Sequence, residues 1–351
     1  MAADHRRSMV DALLEQETRQ QLNSSSCSTT RLNAAWRHKV VHWYFKLVGA
    51  LHRQNTTATS SNGGTSRSSC NPFNRTTVHI SAYLLDSYLM SLPQEQAIRY
   101  RHNRPAYQLL ATTCLLLGIR IAQHDAIKSS LPSAQDVNES PAEQSCGMKR
   151  AKKCTNMSLM SASSTDSGPS SSPPSPPGIA IPNATTILSM SAAPNSITEQ
   201  NVLDMVKMLT SSRDFPRSKV VTTLDYIYAL SASSTQVSEE DGQSISLGPR
   251  DVEEASSITD TLVSDVNIIS TPPSVVACAI ITLALSRSNA LNNLDMTSIR
   301  QKVYYSIFGS KVDPDLQIAT LRAETTVGVT APPPRHRRPV PITTHHIIPF
   351  D

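Results

Sequence analysis

Two charged residues stand inside segments that are otherwise suited to burial. Arg37 lies in Trp36-Arg37-His38-Lys39-Val40-Val41-His42-Trp43, and Asp86 lies in Tyr83-Leu84-Leu85-Asp86-Ser87-Tyr88-Leu89. Each segment reads as a largely buried helix with one charge that needs a partner. Burying either charge alone costs several kcal/mol, so a buried Arg37–Asp86 ion pair is expected, and with it contact between the two helices. The chemistry implied is structural pairing, not catalysis.

Other candidate chemistry is sparse. His345-His346 are adjacent and cannot close a metal site alone. Six cysteines occur without a CxxC pair, so no zinc site is expected. Cys114 and Cys278 fall in apolar runs and read as small buried hydrophobes. There is no Gly-rich phosphate loop, no Ser-His-Asp set in structural context and no carboxylate pair on an apolar face. The expectation is a binding protein without cofactor or metal. Lys149, Arg150, Lys152 and Lys153 form a basic run that reads as a nuclear-import signal, or more plainly as solvated charge. Arg19-Gln20-Gln21-Leu22 fits a minimal Arg-x-x-Leu degradation box and reads more simply as a helix end.

The elements that position these residues follow from helical spacing. A short amphipathic helix is predicted over 8–22. A second spans 32–51, with Trp36, Val40, Trp43, Tyr44 and Leu47 on one stripe. A third runs over 75–92, capped by Asn74 or Thr76 and stopped by Pro93. A fourth opens at Pro105 and reaches His124, apolar on nearly every face as the centre of a bundle is. Further helices are predicted over 197–209, 218–230, 249–269, 273–285, 296–308 and 315–322. The run 273–285 is again wholly apolar. Two such central helices, each with amphipathic neighbours, form an internal structural repeat.

The apolar fraction of 39% and the aromatic fraction of 5% are low for 351 residues, so part of the length is expected to lie outside any core. That part is the Ser/Pro-rich stretch 131–182, read as a disordered insertion, and the Pro/Arg-rich tail 324–351. The organisation expected is therefore an N-terminal helix and linker (1–30), a first bundle (31–127 with 184–213), the insertion, a second bundle (217–323) and the tail. A net charge of +4 does not by itself indicate nucleic-acid binding. No signal peptide is read at the start, and no apolar run of the ~20 residues a membrane span needs is recognised. A nuclear or cytoplasmic location is expected.

In this order the segments resemble the cyclin family, most closely its divergent diatom-type members, over 9–127 and 184–322. Arg37 and Trp43 match the Arg and Trp of the family's first-helix motif. Phe73-Asn74-Arg75-Thr76-Thr77-Val78, followed by Tyr83 to Leu89, resembles the second helix, whose Asp pairs with that Arg. Tyr107 to Arg120 resembles the third helix, and Pro273 to Leu285 is similar to the central helix of the second fold. The resemblance implies an all-α, cyclin-like fold of two bundles of about five helices each. It also implies a regulatory subunit that binds and activates a cyclin-dependent Ser/Thr protein kinase in cell-cycle control, supplying no catalytic group itself.

The resemblance assigns kinase contacts to Arg120 and Ile121 on the third helix and to Leu203 and Val206 on the fifth. It assigns a substrate-docking groove to Trp36, Val40 and Trp43. Departures from the family pattern are specific. Arg120 stands where the family has Lys, keeping the charge but changing the donor geometry. Val206 stands where it has Glu, with Asp204 and Glu199 the nearest acids. His42 and Lys39 are also substituted. The alternative reading is a cyclin-fold scaffold or transcription adaptor without kinase activation.

Overall fold

The computed structural model describes residues 2–22, 32–60, 73–130, 182–190, 197–212, 215–216, 219–231, 245, 247–288, 295–309 and 313–330. Among these there are twelve helices and no strand. The all-α class expected from sequence is thus observed. The Ser/Pro-rich stretch up to residue 181 and the tail from 331 lie outside the described residues, and so do Lys149, Arg150, Lys152 and Lys153.

Helix boundaries follow from local capping. Helix α1 spans Ala2–Leu22 and α2 spans Ala34–Ser60. Asn33 opens α2, its Oδ1 accepting from the Trp36 amide at 3.1 Å. Helix α3 (Arg75–Ser91) is capped by Asn74, whose side chain accepts from the Thr77 amide, and Pro93 follows its end. Helix α4 spans Gln94–His102 and α5 spans Arg104–Ser130. The Asn103 side chain caps α5 at the Ala106 amide. Helix α6 is Ala184–Met190, and α7 is Glu199–Ser211 behind a Thr198 capping box. The remainder are α8 (Thr223–Ser231), α9 (Pro249–Leu262), α10 (Pro273–Arg287), α11 (Met296–Phe308) and α12 (Pro314–Thr330).

Two hydrophobic cores divide the chain. The first gathers α2, α3, α5, α6 and α7 around Tyr44, Leu85, Leu115 and Ile119, with α4 against α3 and α5. The second gathers α8 to α12 around Tyr226, Ile258, Cys278 and Ile307. The boundary between them is sharp: Val220 belongs to the first core and Val221 to the second. Within the first, α3 and α5 approach closely at Gly118. A Cβ there would lie 2.2 Å from Ser81 Oγ and 3.2 Å from the Ser81 amide nitrogen, which only glycine avoids.

Several expectations are corrected. Helix α1 is not a separate N-terminal segment: Val10 and Leu13 are buried in the second core. Two short helices, α4 and α6, join the first bundle, which therefore has six helices among the described residues rather than about five. Helix α9 stops at Leu262, because the following turn crosses to the first core, where Val263 and Ile269 pack. Helix α12 runs to Thr330, past the expected limit of the second bundle. It is held there by buried Val327 and by Glu324, which accepts a bidentate pair from Arg300. Finally, Arg104–Ala126 does reach membrane-spanning length and hydropathy, but 67% of its apolar 18-residue window is buried inside the protein, the setting of a bundle's central helix.

Helix α1 is joined to the second bundle by a buried carboxylate. Pro272, at the N-cap of α10, offers no side-chain hydrogen bond. Glu17 of α1 supplies the missing acceptor, taking the Ser274 amide at 2.9 Å, the Ser274 hydroxyl at 2.7 Å and the Tyr226 hydroxyl at 2.8 Å. A negative group at a helix N-terminus is stabilised by the unpaired amides there.

Candidate functional site

Arg37 and Asp86 meet face to face between α2 and α3. Arg37 Nε donates to Asp86 Oδ1 at 2.8 Å and Nη2 donates to Oδ2 at 2.6 Å, a bidentate fork. The side chains are 3% and 6% exposed. Burial pulls the Arg37 guanidinium down, but the Asp86 charge and hydrogen bonds outweigh it and hold Arg37 protonated. For Asp86, burial is the larger effect and pushes the carboxyl up against the pull of Arg37. Nη1 of Arg37 is buried and meets no acceptor among the described residues. The pair fixes α2 against α3, and both helices then carry the rest of the first core.

The candidate docking residues occupy three different settings. Trp36 is half-buried, its ring edge-on to Tyr107 at 5.5 Å. Trp43 is 8% exposed, and Val40 has no exposed surface. The groove expected at Trp36, Val40 and Trp43 is therefore corrected: Val40 and Trp43 are core, and Trp36 alone keeps appreciable access. The stripe spacing that marked these residues is the spacing of a buried helix face.

The four residues assigned to kinase contact sit on α5 and α7, which pack against each other. Arg120 is exposed, and α5 continues ten residues beyond it, so it stands on the helix flank rather than near its end. Ile121 is half-buried against the first core. On α7, Val202 and Leu209 anchor the buried side, while Leu203 and Met208 are 41% and 44% exposed. Val206 is half-buried against the first core and offers no acceptor. The nearby acids are exposed and engaged locally: Asp204 accepts from Gln200, and Glu199 accepts from the Thr185 hydroxyl. The exposed groups here are a cation on α5, Arg120, and two apolar side chains on α7, Leu203 and Met208, which five residues of spacing put on different flanks of that helix.

Sequence reasoning missed Glu17 and the inter-bundle contacts. Arg75 pairs with Glu253 at 2.8 Å and Asp260 at 3.1 Å, and His79 reaches Asp260 at 3.2 Å, linking α3 to α9. These partners lie far apart in sequence and leave no local signal. No group of three or more His, Cys, Asp or Glu side chains suited to a metal ion occurs among the described residues. No family model matches the chain, and no protein of curated function matches its sequence.

Proposed function

We propose that the chain is a cyclin-like regulatory subunit that binds and activates a cyclin-dependent Ser/Thr protein kinase in the control of cell division. The observation that carries this reading is the surface of α5 and α7. Arg120 is exposed mid-helix, and Leu203 and Met208 are exposed on a helix whose other side is anchored in the core. Large apolar groups left exposed on a helix anchored in the core suit contact with a partner's apolar surface. The duplicated bundles, each around one apolar central helix, support the same reading, as does the buried Arg37–Asp86 fork. A subunit of this kind acts by holding the kinase's regulatory helix in its active position, and supplies no reacting group.

A second reading, a scaffold of the same fold that binds without activating, is favoured by Val206. Its half-buried side chain lies where the resemblance calls for an acidic acceptor. The test is affinity purification of the tagged full chain from its own cells, with the bound proteins identified and assayed for kinase activity. Recovery of an active kinase, lost on Arg120→Ala, is the expected result. A kinase recovered but inactive favours the scaffold. No kinase recovered with intact protein overturns both the activating role and the assignment of Arg120.

A further inference from the structure

Helix α2 segregates charge in a way that the net +4 of the chain conceals. Its 27 residues include no Asp or Glu. Its outward side is cationic: His38, Lys39, His42, Lys46 and Arg53 are all exposed. His38, His42 and Lys46 stand at successive four-residue steps and share one face. From His38 to Arg53 the stripe is about 22 Å long at 1.5 Å per residue. The cations crowd one another: burial, together with the charges of Lys46 and His38, pulls the His42 imidazole below its ordinary range. An anion lying along the stripe relieves that repulsion.

The stripe leads into a groove. A cavity of about 610 Å³ lies between α2, the start of α3 and Tyr228 of α8. Phe45, Phe73 and Tyr228 give it aromatic walls, and His52, Arg53 and Arg75 line it as cations. Among the described residues no acidic side chain lines it. His52 is held in place, its Nδ1 donating to the Phe73 carbonyl at 3.0 Å. Arg75 is already paired with Glu253 and Asp260, neither of which lines the groove, so Arg53 and the α2 stripe set its sign. Gly49 lines it too, and a Cβ there meets nothing nearer than Arg53 Nη1 at 3.6 Å.

We infer that α2 and this groove bind an acidic segment of a partner protein, with carboxylates along His42, Lys46 and Arg53 and one aromatic side chain in the groove beside Phe45 and Tyr228. Charge complementarity selects the acids, and the aromatic walls select the anchor. The stripe is longer than a small molecule. The fixed charges Lys39, Lys46 and Arg53 are few for a nucleic acid, whose affinity rests on many phosphate contacts. Arg120 and Leu203 lie on other helices, α5 and α7, so binding here and kinase recovery are separate readouts.

The test is fluorescence anisotropy on the full chain at low salt. The probes are a labelled octapeptide of Asp and Glu around one central Phe, the same peptide with Ala for Phe, one with Lys for every acid, and an oligothymidylate of equal charge. Submillimolar binding of the Phe peptide is expected, falling as salt rises and about fivefold tighter than that of the Ala peptide. The paired reversal Lys46→Glu with Arg53→Glu should weaken it at least about tenfold. Gly49→Leu occupies the groove and should remove the preference for Phe over Ala while leaving the Ala peptide within about twofold. Circular dichroism checks that both variants keep their helix. No binding of the Phe peptide overturns the inference, and so does equal binding of the Lys peptide or binding that the reversal leaves unchanged. Equal binding of the Phe and Ala peptides to the native chain overturns the part given to the groove. Tighter binding of the oligothymidylate overturns the choice of a protein partner. If the reversal unfolds the chain, Gly49→Leu and the Lys peptide still decide.

Discussion

At the scale of single residues, the Arg37–Asp86 fork separates two quantities often confused, the net worth of a buried pair and the cost of breaking it. Asp86→Ala leaves a buried guanidinium without its anion, and a loss of about 3–5 kcal/mol is expected in denaturant unfolding. The paired change Arg37→Met with Asp86→Leu removes both charges together and is expected to fall within about 1–2 kcal/mol of the native chain, or above it. Glu17 gives a prediction in pH. Burial raises its pKa above the ordinary 4.5, against hydrogen bonds from Ser274 and Tyr226 that lower it. The folded chain therefore holds this proton at pH values where the unfolded chain has released it. The contribution is full below about 4.5 and is lost as pH rises through the raised value. Thermal scans of the native chain and Glu17→Gln should therefore show the native chain gaining relative stability as pH falls from neutral toward 4.5. Asp86, raised in the same sense, is common to both and cancels.

At the scale of elements, the close crossing of α3 and α5 rests on Gly118. Gly118→Ala drives a methyl group into Ser81, and overpacking of this kind costs about 1–3 kcal/mol. The same substitution in a Ser81→Ala background removes the 2.2 Å conflict with Oγ and should recover part of the loss in chemical denaturation. Helices α5 and α10 were legible in the sequence because they are apolar on all sides and each carries a Pro near its start. Helix α4 was not, because Ala97 is its one buried residue and nothing periodic marks it. Helix α6 has seven residues and follows directly on the Ser/Pro-rich stretch. The end of α12 was missed because Thr325, Thr326 and Gly328 disfavour helix locally, while Arg300–Glu324 and Val327 outweigh that preference through packing. Asp86 stood out in the sequence as the lone charge of its apolar segment, whereas Arg37 shares its segment with Lys39 and was matched to Asp86 with the help of the family resemblance. Glu17 sits among other charged residues and its partners lie 209 and 257 positions away, so its role could not be read from the sequence.

At the scale of the whole molecule, the first helix of the chain completes the second bundle, so the two cores are not independent in the order in which they are written. Val10 and Leu13 fill the second core, Glu17 caps α10, and Gln20 accepts from the Val221 amide at 2.9 Å, at the boundary between cores. Removing residues 1–22 therefore does more than shorten the chain. It strips two apolar side chains from the second core and leaves the Tyr226 hydroxyl and the Ser274 amide without their acceptor, each a penalty of about 1–3 kcal/mol. The first core keeps its own contacts, including Arg37–Asp86. Amide exchange followed by mass spectrometry should then show α8 and α10 losing protection in the truncated chain while α5 keeps its own. Equal loss in α5 and α10 would mean that the cores unfold as one unit. Unchanged α10 would mean that α1 only rests on the surface and Glu17 caps nothing of consequence. Glu17→Ala in the full chain isolates the capping contribution: it should lower α10 protection in the same direction and by less than the truncation, because Val10 and Leu13 remain in place.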